Sequence, residues 1–72
     1  MKVSYDPEAD AAYLRLSNKK PHGAIEMREG VILHVTDKDE IVGIEILDVS
    51  KKLKIKELFK FEIEEYPIPP VR

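Results

Sequence analysis

Polar and apolar residues alternate along most of the first two thirds of the chain, which is the pattern of half-buried β-strands. Four-residue loops at 7–10 and at 37–40 close two hairpins in which every directly opposed pair on one face is apolar, for example Tyr5 with Ala12. Both hairpins are therefore expected to contribute one clean apolar face to a common sheet.

Two further connections complete this sheet. A three-residue link at 28–30 ends on Gly30, which adopts the left-handed conformation without steric cost. The polar segment SNKKPHG, residues 17–23, allows Leu14 to face Ile25. One side-chain parity then satisfies all strands and predicts a five-stranded antiparallel β-meander. The inner face of the predicted sheet consists of Met1, Val3, Tyr5, Ala12, Leu14, Leu16, Ile25, Met27, Val31, Leu33, Val35, Val42, Ile44 and Ile46.

An apolar sheet face must be covered, and the C-terminal segment is expected to cover it. Ile55, Leu58 and the residues after them fit helical spacing, whereas residues 59–64 also alternate as in a strand. We favour a helix within 51–59 that packs on one face of the sheet, followed by an extended segment. A single helix over 51–65 is the alternative.

The last residues, YPIPPVR, are too rich in proline for a helix or a central strand. We therefore expect one α+β domain over residues 1–66 and an extended tail over residues 67–72. With 72 residues, such a domain is close to the size at which apolar burial barely exceeds the entropy cost of folding. A second copy of the chain is accordingly expected, as a homodimer.

Composition narrows the function classes. The chain has no cysteine, which excludes disulfides and thiolate zinc sites, and its net charge of −2 is not that of a basic nucleic-acid binder. No apolar run is long enough to span a membrane and no export signal is visible, so we expect a cytoplasmic protein. No cofactor-binding motif is present, and none is expected to be needed.

Three segments resemble a known family. YDPEADAAYLRL at 5–16, GVIL at 30–33 and VGIEILDVSKKL at 42–53 are similar to motifs of the family known as domain of unknown function 2283. The resemblance covers residues 3–53 and implies a small cytosolic β-sheet domain with a C-terminal helix and no established activity. It also implies, since some members are encoded beside small toxin-like proteins, an antitoxin-like or partner-binding role.

The chain departs from the family pattern at one position in a strand and at one position in a turn. His34 stands where the family commonly has aspartate, so any acidic function at that position is lost here. Asp39 stands where the family commonly has glycine, and aspartate tolerates the left-handed region better than most residues.

The three carboxylates of Asp6, Glu8 and Asp10 have two interpretations. An oxygen-rich loop suits Mg²⁺ or Ca²⁺, but this loop is short and has few further ligands. Turn chemistry is the preferred explanation, because aspartate before proline accepts hydrogen bonds from the following backbone amides. Only Glu8 has no role in the turn.

The outer face of the predicted sheet carries the candidate catalytic residues. Tyr13, Glu26 and Glu45 lie in one row, and Arg15 and His34 lie in the next. An acid/base site would use a glutamate as base and His34 as the group that titrates near neutrality. A solvated face with cross-strand ion pairs is the simpler interpretation, since an open sheet has no pocket.

Other outer-face residues favour an interface. Four apolar side chains point away from the inner face, and a strand that is apolar on both sides normally has both sides covered. These predicted interface residues are Tyr13, Ile32, Ile41 and Leu47.

A lysine cluster suggests a third kind of partner. Residues 51–60 hold five lysines and one glutamate and so carry a charge of +4. Such a patch attracts phosphates, but the chain lacks aromatic platforms and helix-turn-helix spacing, so nucleic-acid binding is not favoured. The lysines concerned are Lys51, Lys52, Lys54, Lys56 and Lys60.

From the sequence we thus favour a non-enzymatic interaction module that forms a homodimer and binds a small, toxin-like protein. A small metal-dependent or acid/base enzyme using Glu26, His34 and Glu45 is the first alternative, and a nucleic-acid binder is the second.

Overall fold

The computed structural model of the chain describes residues 1–62 and Glu64. Five strands are followed by two short helices, which confirms the predicted α+β class. The elements are β1 Lys2–Asp6, β2 Ala11–Arg15, β3 Gly23–Arg28, β4 Val31–Val35, β5 Ile41–Leu47, α1 Val49–Lys52 and α2 Ile55–Leu58.

The strands form one antiparallel sheet in the order β1-β2-β5-β4-β3. The predicted meander order, with β2 beside β3, is therefore wrong. Strands β3, β4 and β5 follow one another through two hairpins, and β2 joins the free side of β5 across a long connection. This is the Greek-key arrangement.

The position of β5 has a physical reason. This strand carries Ile44 and Ile46 on the inner side and the half-buried Glu45 and Leu47 on the outer side, so it buries more side-chain surface between two neighbours than at an edge. Beside β2, strand β5 directs its apolar residues to the same face as β3 was predicted to do. Leu14 consequently lies opposite Ile44 instead of Ile25. Matching of apolar faces alone did not distinguish the two strand orders.

The connection from β2 to β3 crosses the end of the sheet. Strands β5 and β4 lie between β2 and β3, so the connection spans three strand spacings of roughly 4.8 Å, about 14 Å in all. The backbone amides of Leu16 and Ser17 both donate to the Val42 carbonyl, at 2.8 and 3.1 Å, and the His22 amide donates to the Val35 carbonyl at 2.8 Å. The loop is thus held to β5 and to β4 before β3 begins.

Within the hairpins most of the predicted pairing is confirmed. Tyr5 is opposite Ala12, and Leu33 is opposite both Ile44 and Ile25. Two bulges shift the register at hairpin ends, where Val31 pairs with Arg28 instead of the predicted Met27 and Val35 pairs with Ile41 instead of the predicted Val42. A bulge sharpens the local twist of a strand next to a turn.

The turns use left-handed residues as expected. Gly30 has φ 75° and Asp39 has φ 62°, so the aspartate does serve in place of a glycine. The buried hydroxyl of Thr36 accepts hydrogen bonds from the Lys38 and Glu40 amides at 3.2 and 3.1 Å and so organises the turn between β4 and β5.

The C-terminal segment forms two one-turn helices instead of the predicted single helix. Leu53 is extended, with φ −153° and ψ 166°, and it separates α1 from α2. Val49 of α1 is fully buried, whereas α2 buries no residue completely. The predicted extended tail over 67–72 and the predicted end of the domain at Tyr66 lie outside the described residues.

Few apolar side chains are fully enclosed. Among the described residues the buried apolar side chains are Ala12, Val35, Val42 and Val49. The centre of the predicted inner face is half-buried, and its ends are exposed, with Met27 at 57% and Leu16 at 44%. The parity of the predicted face is right, but the described part of the C-terminal segment does not cover all of it.

Candidate functional site

The outer face of the sheet contains the two predicted rows, in the observed strand order. One row runs Ser4, Tyr13, Glu45, Ile32 and Glu26 across the five strands. The next row runs Lys2, Arg15, Gly43, His34 and Ala24. Because β5 lies in the middle, Glu45 and Gly43 are placed between the residues that β2 and β4 contribute.

Three polar side chains meet on this face. The His34 Nε2 atom lies 2.9 Å from the Glu45 Oε1 atom, and the two side chains are 25% and 32% exposed. The Tyr13 and His34 rings make an edge contact with their centroids 5.4 Å apart and their planes at 74°. We call Tyr13, His34, Glu45 and the underlying Gly43 the outer-face cluster.

Gly43 makes room for the tyrosine of this cluster. A Cβ atom at position 43 would come within 2.6 Å of the Tyr13 Cζ atom and 2.8 Å of the Leu14 carbonyl oxygen. These distances are well below ordinary van der Waals contact, so the tyrosine ring lies directly over the glycine backbone. The absence of a side chain at Gly43 is a feature whose purpose sequence reasoning did not identify.

Glu26, the third predicted catalytic residue, does not join the cluster. It lies two strands away from Glu45, and its carboxylate accepts a hydrogen bond from the Gly30 amide at 3.2 Å. Glu26 thus supports the turn between β3 and β4. What remains is a histidine and a carboxylate in hydrogen-bond contact, which can relay a proton if a substrate is bound against them.

The carboxylates of the first turn have structural partners. The Asp6 Oδ1 atom accepts hydrogen bonds from the Glu8 and Ala9 amides at 2.9 and 3.3 Å, as predicted for an aspartate that begins a turn. Glu8 is exposed and still has no role in the turn. In the part of the chain that is described, no three His, Asp or Glu side chains are grouped to hold a metal ion.

Asp10 has a longer reach than the turn itself. It adopts φ 51° and its carbonyl accepts the Val49 amide at 3.1 Å. Its carboxylate accepts the Ser50 hydroxyl at 2.6 Å, the Ser50 amide at 3.2 Å and the Tyr5 hydroxyl at 2.9 Å. Asp10 therefore joins the first hairpin to helix α1, a contact between residues forty positions apart.

These contacts change the acidity of the groups involved. The hydrogen bond from the Ser50 hydroxyl, together with those from Tyr5 and the Ser50 amide, lowers the pKa of Asp10 below its ordinary 3.8. The hydrogen bond that the Tyr5 hydroxyl donates to Asp10 raises the pKa of Tyr5 above 10.0. The network is thus formed around an ionised carboxylate and a neutral phenol.

The lysine cluster extends over both helices. The five lysines are exposed, but they are divided between α1, α2 and the residues around them. The Lys52 ammonium group donates hydrogen bonds to the Leu47 carbonyl and, at 3.5 Å, to the Glu29 carbonyl. Lys52 thus closes over the turn at Gly30.

The predicted interface residues differ in exposure. Tyr13, Ile32 and Leu47 are half-buried by their neighbours on the outer face, whereas Ile41, at the β5 bulge, is 50% exposed. The larger apolar exposure is on the inner face, at its two ends. Met1 and Leu16 are exposed at one end, and Ile25 and Met27 are exposed on β3 at the other.

Two surface depressions are lined by none of the residues of the outer-face cluster. One of about 270 Å³ is lined by residues around Met1, Arg15 and Leu16, and one of about 210 Å³ by residues around His22 and Asp37. Within residues 1–62, no helix has the length and apolar character that crossing a bilayer requires.

Replacing Asp10 by asparagine tests its role as the link to α1. Asp10→Asn keeps the shape but removes the charge, so we expect a lower thermal unfolding midpoint at pH 7. In the wild type the stabilisation is complete above the unfolded pKa near 3.8 and is lost as the pH falls through the lowered folded pKa. The variant should therefore lose less stability than the wild type between pH 5 and about pH 2.

The control for this experiment is Asp37→Asn, in an exposed turn. In this variant the thermal unfolding midpoint should fall between neutral and acidic pH by the same amount as in the wild type. Equal acid sensitivity in Asp10→Asn and the wild type would contradict the role of Asp10.

A second substitution tests the packing of the outer-face cluster. Gly43→Ala should reduce the free energy of unfolding by about 1–3 kcal/mol, because the new methyl group displaces the Tyr13 ring. In a Tyr13→Ala background the same substitution should cost less, since the ring contact is then absent. Gly23→Ala is the matched control, because a Cβ atom at that position meets nothing within 4 Å. The free energy of unfolding is measured by urea denaturation of the wild type, the three single variants and the double variant.

Comparison with known proteins supplies the family. Residues 2–50 match the family model described as "Protein of unknown function (DUF2283)". A protein of Methanosarcina mazei named "Putative hypoxanthine phosphoribosyltransferase" is 39% identical over 54 residues, which cover 75% of this chain and 43% of that protein. The chain thus spans less than half the length of this curated relative. No solved structure matches the chain.

The matched segment has a structural meaning. It contains all five strands and ends at Ser50, the residue of α1 that binds Asp10. The family model therefore describes the sheet together with its link to the helix, and the chain belongs to the DUF2283 family of proteins of unknown function.

Proposed function

We propose that this protein is a non-enzymatic protein–protein interaction module of the cytoplasm, which forms a homodimer and binds a small partner protein of the toxin type. The observation that carries the proposal is the apolar inner face of the sheet, which is exposed at both ends. Met1 and Leu16 are 78% and 44% exposed, and Ile25 and Met27 are 46% and 57% exposed.

The size of the core supports a protein partner. Only four apolar side chains of the described chain are buried, and small domains of this kind gain much of their stability from association. Single exposed apolar residues are common on protein surfaces, but here several large ones point to the same face. Such apolar patches mark interaction sites. The family resemblance of the DPEAD and VGIEILDVS segments is the reason for choosing a toxin-like protein.

Light scattering tests the proposed association. We expect a mass of twice 8.3 kDa at high protein concentration and a thermal midpoint that rises with concentration, because association stabilises only the folded chain. We also expect the purified protein to retain the purified product of a neighbouring gene. A strict monomer with a constant midpoint and no retained product would contradict the proposal.

Acid/base catalysis at the outer-face cluster is a second candidate, favoured by one observation. The His34 ring nitrogen and the Glu45 carboxylate oxygen are 2.9 Å apart, the distance at which a carboxylate orients an imidazole. The name of the Methanosarcina mazei relative does not select a reaction for this chain, because the shared segment is less than half of that protein.

A paired substitution separates the two candidates. His34→Gln and Glu45→Gln should leave association unchanged under our proposal, because both residues are on the face opposite to the exposed apolar ends. An ester-hydrolysis assay on the wild type and both variants measures the alternative. Hydrolysis by the wild type that falls at least tenfold in each variant would favour the enzyme.

A further inference from the structure

The two edges of the sheet differ in how they are exposed. Among the described residues, strand β3 has a neighbour on one side only, β4, and all six of its own residues are exposed. Strand β1, at the other edge, alternates between exposed and half-buried residues. In an edge strand the amide and carbonyl groups of alternate residues point away from the sheet and can pair with another strand.

Features that commonly prevent such pairing are unevenly distributed. Lysine, proline and bulges protect natural sheet edges. Strand β1 begins at Lys2 and is followed by Pro7. On the β3 side, Pro21 lies before the strand and the bulge lies at Met27. The stretch between them, residues 22–26, contains neither lysine nor proline and pairs regularly with β4 over Gly23–Glu26.

We propose that β3 of one copy pairs antiparallel with β3 of a second copy about a two-fold axis at Ile25, which joins the two sheets into one of ten strands. This inference rests on the homodimer of the proposed function and names its surface. The occupant is a second copy because the strand complements itself, as the possible registers show.

Symmetry limits those registers. Directly opposed residues in an antiparallel pair point to the same side of the sheet. The apolar faces of the two copies are therefore continuous only if the axis lies at a residue of β3, which is then opposite its own copy, and not between two residues. An axis at Glu26 would oppose two glutamates, which repel each other. An axis at Met27 would fall on the bulge, where the ladder is disrupted.

An axis at Arg28 would oppose two arginines, and an axis at Gly23 would set Ile25 opposite Pro21, which has no amide to donate. Two registers remain, and their side chains decide between them. An axis at Ala24 would set Ile25 opposite Gly23 of the second copy and leave the isoleucine without an apolar partner. An axis at Ile25 opposes the two isoleucines and sets Glu26 against Ala24, with no like charges opposed. The apolar inner faces of both copies then continue across the axis.

The expected interface is small. One strand pair with its flanking side chains buries less than the roughly 1,200–2,000 Å² of a stable complex. The dimer should therefore dissociate on dilution.

Cysteine cross-linking tests the register, because the natural chain contains no cysteine. In the proposed pair the two residues at position 25 have Cα atoms about 4.5–5.5 Å apart, within the range that a disulfide bridges. Ile25→Cys treated with oxidised glutathione should give a covalent dimer on a non-reducing gel. Leu16→Cys is the matched control, since Leu16 is exposed to nearly the same extent, 44% against 46%, at the other end of the face.

A charge at the same position gives an independent measurement. Ile25→Lys should remain folded, because the side chain is half exposed, and it should weaken dimerisation at least tenfold in light scattering. Leu16→Lys should not. Cross-linking through position 16 in place of 25, or a dimer unaffected by Ile25→Lys, would overturn the edge pairing.

The outcomes separate this inference from the proposed function. A wild-type dimer that does not cross-link through position 25 overturns the edge pairing alone. A wild-type monomer that retains the neighbouring gene product overturns both the pairing and the homodimer, and leaves the heterologous interaction standing. A monomer that retains nothing contradicts the whole proposal.

Discussion

The structure depends on one constraint, which is that β5 must have a neighbour on each side. Its inner residues Ile44 and Ile46 are apolar, and its outer residues Glu45 and Leu47 are half-buried, so the strand buries more side-chain surface between two strands than at an edge. Placing β5 between β2 and β4 satisfies that requirement. The crossing loop at the end of the sheet and the identity of the two edge strands follow from it.

The same placement determines what meets on the outer face. With β5 in the centre, Glu45 comes between Tyr13 and Ile32, and Gly43 comes between Arg15 and His34. In both strand orders one strand lies between β2 and β4, but in the observed order that strand is β5, whose Gly43 leaves room for the Tyr13 ring to reach His34. The outer-face cluster is thus a consequence of strand order, which is a property of packing across the whole sheet.

The sequence predicted pairs of residues well and their arrangement less well. Alternation determines which side chains share a face, so the pairing of Tyr5 with Ala12 and the membership of both outer rows were predictable. Strand order was not, because β3 and β5 present the same parity to β2. Turn chemistry identified Asp6, but the contacts of Asp10 with Ser50 depend on where α1 begins, which no local pattern reveals.

The bulges and the division of the helical segment were likewise not predictable from the pattern of apolar residues. Bulges at Met27 and at Ile41 occur where each strand meets its turn, and they depend on backbone geometry that alternation does not encode. The helical spacing after Val49 was real, but the extended Leu53 divides it into two turns. Short helices gain little stability by themselves and depend on tertiary contacts, here on Val49 and Ser50.

The edges link this architecture to association. A sheet with β5 at its centre must leave two other strands with one free side each, and the choice of β1 and β3 exposes strands of different character. Strand β1 is tied through Tyr5 and Asp10 to α1, so its residues are partly covered by the chain itself. Strand β3 has no comparable contact among the described residues. Placing β5 at the centre of the sheet therefore leaves β3, with Ile25 and Met27 on one face, as the more exposed of the two edge strands.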